Sequence, residues 1–147
     1  MNFLITFAAQ YLPFLIGFVV LVSLIQERSR SLVARVVLAA LLALATSELI
    51  KQFFYTPRPF VVRDLTPLIS QPSDGSFPSS HVALLTAVIF SIFSKFRSLS
   101  WILLVMAGVV GWGRVAAGVH YPIDIAGGLA VGLVAALLAH YLKLGRR

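Results

Sequence analysis

The sequence predicts an all-α protein, a polytopic membrane helical bundle of about five transmembrane helices. Three observations predict it. Hydrophobic residues make up 59% of the 147-residue chain and charged residues only 12%, where an ordinary soluble domain has roughly a quarter charged. Mean hydropathy is +0.95. The apolar residues also fall into long runs parted by short charged or proline-rich segments, as in a chain that crosses a bilayer repeatedly.

The first run covers residues 3–25. It holds Gln10 and has Pro13 as a candidate kink. No basic segment precedes it, and it is long for the apolar part of a cleaved leader, so a span is expected. The charged turn QERSRS follows at 26–31, and the second run covers 32–50. At 1.5 Å per residue it reaches roughly 28 Å, just enough for the hydrocarbon core. Glu48 and Lys51 lie three apart near its end and share a helix face.

Residues 55–78 interrupt the pattern. Pro57, Pro59, Pro67, Pro72 and Pro78 forbid a continuous helix, and Gly75 adds turn character. A structureless connection of this length usually has a function. Ser79 or Ser80 can cap the third helix, expected to run to about residue 93. It is short for a span. A basic turn, KFRSLS at 95–100, leads to Trp101 and the fourth run, 101–119. The fifth run is 123–142, and the basic tail KLGRR closes the chain. The whole, 1–147, reads as a single domain.

Charge sets the expected orientation. The turns after the first and third runs, with the tail, carry Arg28, Arg30, Lys95, Arg97, Lys143, Arg146 and Arg147. The positive-inside rule places them in the cytoplasm. Lys51, Arg58, Arg114, His81, His120, Asp74 and Asp124 then gather on the extracytoplasmic face. The net charge of +7 is accounted for by this topology, and no nucleic-acid partner is expected. With no cysteine, thiol nucleophiles and thiolate metal sites are excluded.

Three blocks carry the unusual polar groups: KQFFYTPRP at 51–59, FPSSH at 77–81 and GRVAAGVHYPID at 113–124. Pro122 suits the first turn of a helix. Asp124, four residues after His120, can take a hydrogen bond from one ring nitrogen and fix the tautomer of the other. Arg58 and Arg114 can grip phosphate oxygens with forked guanidinium groups, and Lys51 adds a point charge. Ser79 and Ser80 stand at a helix N-terminus, a ready anion site. The expected division of labour is nucleophilic attack by His120, oriented by Asp124, with His81 as the acid for the leaving oxygen. The cations would stabilise the transferring phosphoryl group. No metal site and no cofactor are expected.

In these blocks the chain resembles the type 2 phosphatidic acid phosphatase (PAP2) superfamily. The family's first motif, Lys, six residues, Arg-Pro, is matched by Lys51, Arg58 and Pro59. Its second, Pro-Ser-Gly-His, is matched by Pro78, Ser79 and His81, with Ser80 replacing glycine. Its third, Ser-Arg, five residues, His, three residues, Asp, is matched by Arg114, His120 and Asp124, with Gly113 replacing serine. The resemblance covers about 51–132. It implies a membrane phosphatase whose phosphate-binding group includes Lys51, Arg58, Arg114, Ser79, Ser80 and the Gly113 N–H. The blocks look most like the bacterial undecaprenyl-diphosphate phosphatase branch. The expected substrate is therefore a polyprenyl phosphate, or as runner-up a glycerophospholipid phosphate such as phosphatidate or phosphatidylglycerophosphate. Rival readings are weaker. Haem ligation by the two histidines leaves the cations as mere propionate partners. A metal on His81, His120 and Asp124 would sit against those cations. A small membrane scaffold or transporter needs none of these groups.

Overall fold

The computed structural model describes residues 2–142, so Lys143, Arg146 and Arg147 lie outside the described residues. Five helices form the body: α1 (Asn2–Glu27), α2 (Arg30–Phe53), α3 (Ser80–Ile92), α4 (Arg97–Ala116) and α5 (Pro122–Tyr141). Four of them, α1, α2, α4 and α5, are long and apolar enough to cross a membrane. The fifth, α3, has 13 residues, about 20 Å at 1.5 Å per residue and well short of the ~30 Å core. The expected five-span bundle is thus four long helices around one short central one.

α3 sits centrally because both α2 and α5 pack closely against it. The small residues Ala39, Ala43, Ala83, Ala87, Ala135 and Ala139 form the seam between the three. Gly128 and Gly132 of α5 lie so close to α3 that a Cβ on Gly128 would meet the Ser79 carbonyl at 2.7 Å. A second core of Leu, Ile and Val ties α1 to α3 and α4. The outward faces are apolar too: Phe14, Phe18, Leu41, Val105 and Leu138 are exposed, as side chains facing lipid should be.

Several helix bounds differ from the sequence reading: α2 runs Arg30–Phe53 where 32–50 is expected, and α4 stops at Ala116 where 119 is expected. α4 begins at Arg97, not Trp101, because Ser100 N–H donates to Phe96 O and closes a helical turn over the basic segment. α1 contains a π-helical turn, Phe7–Tyr11, just before Pro13. Of the connection at 55–78, only Pro59–Val62 forms a helical turn. The rest is pinned by backbone bonds: Ser76 N–H to Thr56 O, Phe60 N–H to Gly118 O and Leu68 N–H to Ala117 O.

α3 joins the two ends of the bundle. At one end, Ser80 bonds Lys51 of α2. At the other, just past α3, Lys95 Nζ pairs with Glu27 Oε1 of α1 at 2.8 Å. The basic turns around Arg28 and Lys95 therefore share one end, and the three polar blocks share the other.

Candidate active site

The site is built where α4 stops and α5 starts. Gly118, at φ +77°, takes a left-handed conformation that suits glycine and turns the chain. Pro122 opens α5, and Asp124 lies in its first turn. Asp124 Oδ2 accepts from the Tyr121 backbone N–H at 2.8 Å, capping the helix, and lies 3.2 Å from His120 Nδ1. A carboxylate only accepts, so Nδ1 carries the ring proton and Nε2 carries the lone pair. Nε2 faces Arg58 Nη1 at 3.4 Å. Burial pushes the His120 imidazole below its usual 6.5; the Asp124 hydrogen bond opposes this, and the Arg114 and Arg58 charges reinforce it. His120 is thus held neutral, with the lone pair of Nε2 turned toward Arg58.

Arg58 and Arg114 lie within electrostatic reach of His120, and Lys51 within reach of His81. Arg58 Nη1 donates to Val119 O at 2.9 Å, while Nε and Nη2 both donate to Asp74 Oδ1, at 3.0 and 2.7 Å. Lys51 Nζ donates to Glu48 Oε1 at 2.9 Å and to Ser80 Oγ at 2.5 Å, and Ser80 Oγ donates to Glu48 at 2.9 Å. Arg114 Nη1 donates to Ala9 O at 3.1 Å and Nη2 to Gln71 Oε1 at 2.7 Å.

Ser79 stands at the head of α3. Its N–H donates to Asp124 O at 3.0 Å, tying that helix end to α5. Its hydroxyl does not cap its own helix. Ser79 Oγ and Arg114 Nε are both buried with no hydrogen-bond partner among the described residues. Unpaired buried donors are costly, and two of them beside three cations suit an anion. His81 lies within electrostatic reach of Arg114, His120, Lys51 and Arg58. It also borders an apolar cleft of about 500 Å³ between α1 and α3, walled by Pro13, Phe14, Leu21, Leu84 and Val88.

The fold thus brings together His120, Asp124, Arg58, Lys51, Arg114, Ser79, Ser80 and His81. Gly113 is placed differently. It lies inside α4, buried against Ala8 and Ala9 of α1. Three contributors escaped the sequence reading: the Ala9 carbonyl, Gln71, and the carboxylate of Asp74 as the partner of Arg58. Asp74 had a signal, being the one loop carboxylate close to the second block. Gln71 had none, and Ala9 only the proline four positions on.

The chain is similar to several known proteins. The family described as the PAP2 superfamily matches residues 32–147. The bacitracin transport permease protein BcrC of Bacillus licheniformis is 31% identical over 144 residues, covering 96% of this chain and 71% of that protein. The undecaprenyl-diphosphatase BcrC of Bacillus subtilis (strain 168) is 31% identical over 111 residues, covering 76% of this chain and 58% of that protein. Among solved structures, LpxE of Aquifex aeolicus superposes with a TM-score of 0.80 at 25% identity, over 95% of this chain and 85% of that one.

Proposed function

The chain belongs to the PAP2 superfamily, and from that premise we propose that it is a membrane lipid phosphatase converting undecaprenyl diphosphate to undecaprenyl phosphate and inorganic phosphate. The observation that carries the reading is His120 itself. Its Nδ1 is bound to Asp124 and its Nε2 is turned to Arg58, which is the arrangement of an activated nucleophile beside a phosphate clamp.

In the proposed reaction His120 Nε2 attacks the terminal phosphorus. The new P–N bond forms as the bond from phosphorus to the bridging oxygen breaks. Arg58, Arg114 and Lys51 hold the equatorial oxygens and offset the charge that develops on them. Ser79 Oγ and Arg114 Nε, both without a hydrogen-bond partner among the described residues, supply two further donors. His81 gives its proton to the departing oxygen. It then takes a proton from a water molecule as that water attacks the phosphohistidine, releasing phosphate and restoring His120. Asp124 supports the positive charge on His120 without moving a proton itself.

His81 borders both the cation cluster and the apolar cleft. A leaving group that carries a long hydrocarbon chain would therefore depart on the side where apolar surface is waiting for it. This supports a lipid substrate over a soluble phosphate ester. The undecaprenyl assignment draws on the activity that names the Bacillus subtilis relative, of which this chain covers 58%. The basic turns at the opposite end of the bundle support an extracytoplasmic site in the cytoplasmic membrane.

The deciding measurement is turnover of undecaprenyl diphosphate, phosphatidate and phosphatidylglycerophosphate in one detergent at equal surface fraction. We expect kcat/KM to favour undecaprenyl diphosphate by at least tenfold, or ~1.4 kcal/mol of transition-state binding. A tenfold preference for either glycerophospholipid would replace the substrate assignment. No phosphate release from any of them would refute the phosphatase reading and favour a scaffold or transporter.

A further inference from the structure

Arg114 is held from a helix that lies outside the stretch matching the family, which begins at residue 32. In an α-helix the carbonyl of residue 9 accepts from the N–H of residue 13. Residue 13 of this chain is proline, which has no N–H to give. The Phe7–Tyr11 π-helical turn lies immediately before it, and π turns occur frequently at functional sites. Ala9 is fully buried, so its carbonyl needs a donor from within the protein. Arg114 Nη1 supplies one at 3.1 Å. With Nη2 on Gln71, both arms of the guanidinium end on neutral oxygens, and its charge is left for another anion.

Gly113 makes this contact possible. A Cβ there would meet Ala8 Cβ at 2.8 Å and the Ala9 backbone nitrogen at 2.9 Å, closer than real Cβ atoms come. α1 rests on the bare Cα of the residue next to Arg114. The serine of the family motif would drive α1 away and lengthen the Arg114–Ala9 bond.

We propose that the Ala9 carbonyl, freed by Pro13 and admitted to close range by Gly113, is the positioning device for Arg114, and that α1 is therefore part of the phosphate site. Pro13, Ala9 and Gly113 are positioning residues. They touch Arg114 or its support, not substrate. The glycine is then a compensated departure from the motif: the hydroxyl is lost, and a second anchor for the arginine is gained. This inference rests on the phosphatase reading for its consequence, though not for its geometry.

The test uses the full chain in detergent, with orthovanadate as a phosphate mimic that carries no lipid. Pro13→Ala restores the N–H at residue 13 and gives Ala9 O a competing donor. It also removes a proline from a helix interior, so the melting temperature should hold or rise. We expect vanadate affinity, measured by calorimetry, to fall about tenfold and kcat/KM to fall with it. Gly113→Ala and Gly113→Ser should lose activity to a similar degree, because the obstruction is the Cβ, and Ala8→Gly should recover part of the loss. Three results would each overturn the proposal. One is Pro13→Ala with unchanged vanadate affinity, since any activity loss would then belong to the apolar cleft that Pro13 also lines. Another is Gly113→Ser at or above wild-type activity. The third is Gly113→Ser far more active than Gly113→Ala. A wild-type protein that binds vanadate but hydrolyses no lipid phosphate would refute the phosphatase reading alone, and the calorimetric comparison would still decide the positioning.

Discussion

Replacing Asp124 with asparagine probes the centre of the proposed mechanism with the least disturbance of shape. One carboxylate oxygen, Oδ2, serves both His120 Nδ1 and the Tyr121 N–H, and Oδ1 is buried with no hydrogen-bond partner among the described residues. An amide oxygen in the Oδ2 position can still accept both bonds, so helix capping largely survives. Two things are lost. The charge that supports a cationic His120 disappears, and a buried NH₂ replaces an oxygen with nothing to donate to. A hydrogen bond to a charged group contributes ~1.5–3 kcal/mol, and an unpaired buried donor costs ~1–3 kcal/mol. If most of the first term acts in the transition state, kcat should fall about 100-fold. The pH profile gives a second readout. His120 must be neutral to attack, so the acid limb of kcat/KM follows its pKa, which burial already places below 6.5. Removing the Asp124 carboxylate takes away what raises that pKa. The acid limb should move to lower pH while the plateau drops. Acid-quenched phosphoenzyme should accumulate more slowly in the variant and be absent in His120→Gln. An Asp124→Asn protein within threefold of wild type, with an unshifted limb, would refute the role assigned to this pair.

Other expectations can be checked alongside. Trapped phosphate should be found on residue 120 and not on 81, and His81→Ala should be least damaging on substrates with good leaving groups. Activity should survive EDTA, because Lys51, Arg58 and Arg114 already supply the positive charge that a metal would bring; loss on chelation and recovery with Mg²⁺ would overturn that account. Because the His120 pKa is lowered on folding, its contribution to stability should be complete above about pH 6.5 and decline as pH falls toward its folded value; a melting temperature that rises on acidification through this window, after allowing for the carboxylates, would contradict it. The chain has no cysteine of its own, so single cysteines at exposed Ser70 and Ser98 can be labelled cleanly. Ser70→Cys should react from outside the cell and Ser98→Cys only after permeabilisation.

The sequence is most legible where the site depends on local spacing. His120 and Asp124 are four apart, and helix geometry alone brings them together, with Pro122 marking where the helix begins. Arg58, Lys51 and the Ser79–His81 segment come from separate elements, yet their residue types and order are enough to nominate them. Legibility fails where the partner is a backbone atom. Ala9 contributes a carbonyl, which every residue has, and only the proline four positions on hints that this one is free. It also fails where an irregular loop decides the contact. Gln71 and Asp74 reach the two arginines because backbone bonds to Thr56, Ala117 and Gly118 fold the loop back, and no periodicity announces such a path. The motif aligns Gly113 beside Arg114 and so implies its N–H as a donor to phosphate. Its place inside α4 gives it a steric part instead, which only the three-dimensional approach of α1 could reveal.

The site should prefer an anionic substrate even though two of its three cations already have carboxylate partners. Lys51 and Arg58 face the carboxylates of Glu48 and Asp74, while Arg114 ends on the neutral oxygens of Ala9 and Gln71, and the two sides of each ion pair are not equally held. The Lys51 and Arg58 side chains are 9% and 2% exposed, while their partners Glu48 and Asp74 are 56% and 44% exposed. Buried cations cannot leave, because stripping a counter-charge from them in a low-dielectric setting costs several kcal/mol per ion. Half-exposed carboxylates can turn into water at little cost. An arriving phosphoryl group can therefore take the place of Asp74 at Arg58 and of Glu48 at Lys51, and its departure lets them return. The carboxylates thus keep the cations paired between turnovers and also compete with product phosphate for the same donors. On this argument Asp74→Asn should tighten inhibition by inorganic phosphate several-fold and slow turnover wherever product release limits it. Unchanged product inhibition in Asp74→Asn would show that Arg58 binds phosphate without giving up its carboxylate partner.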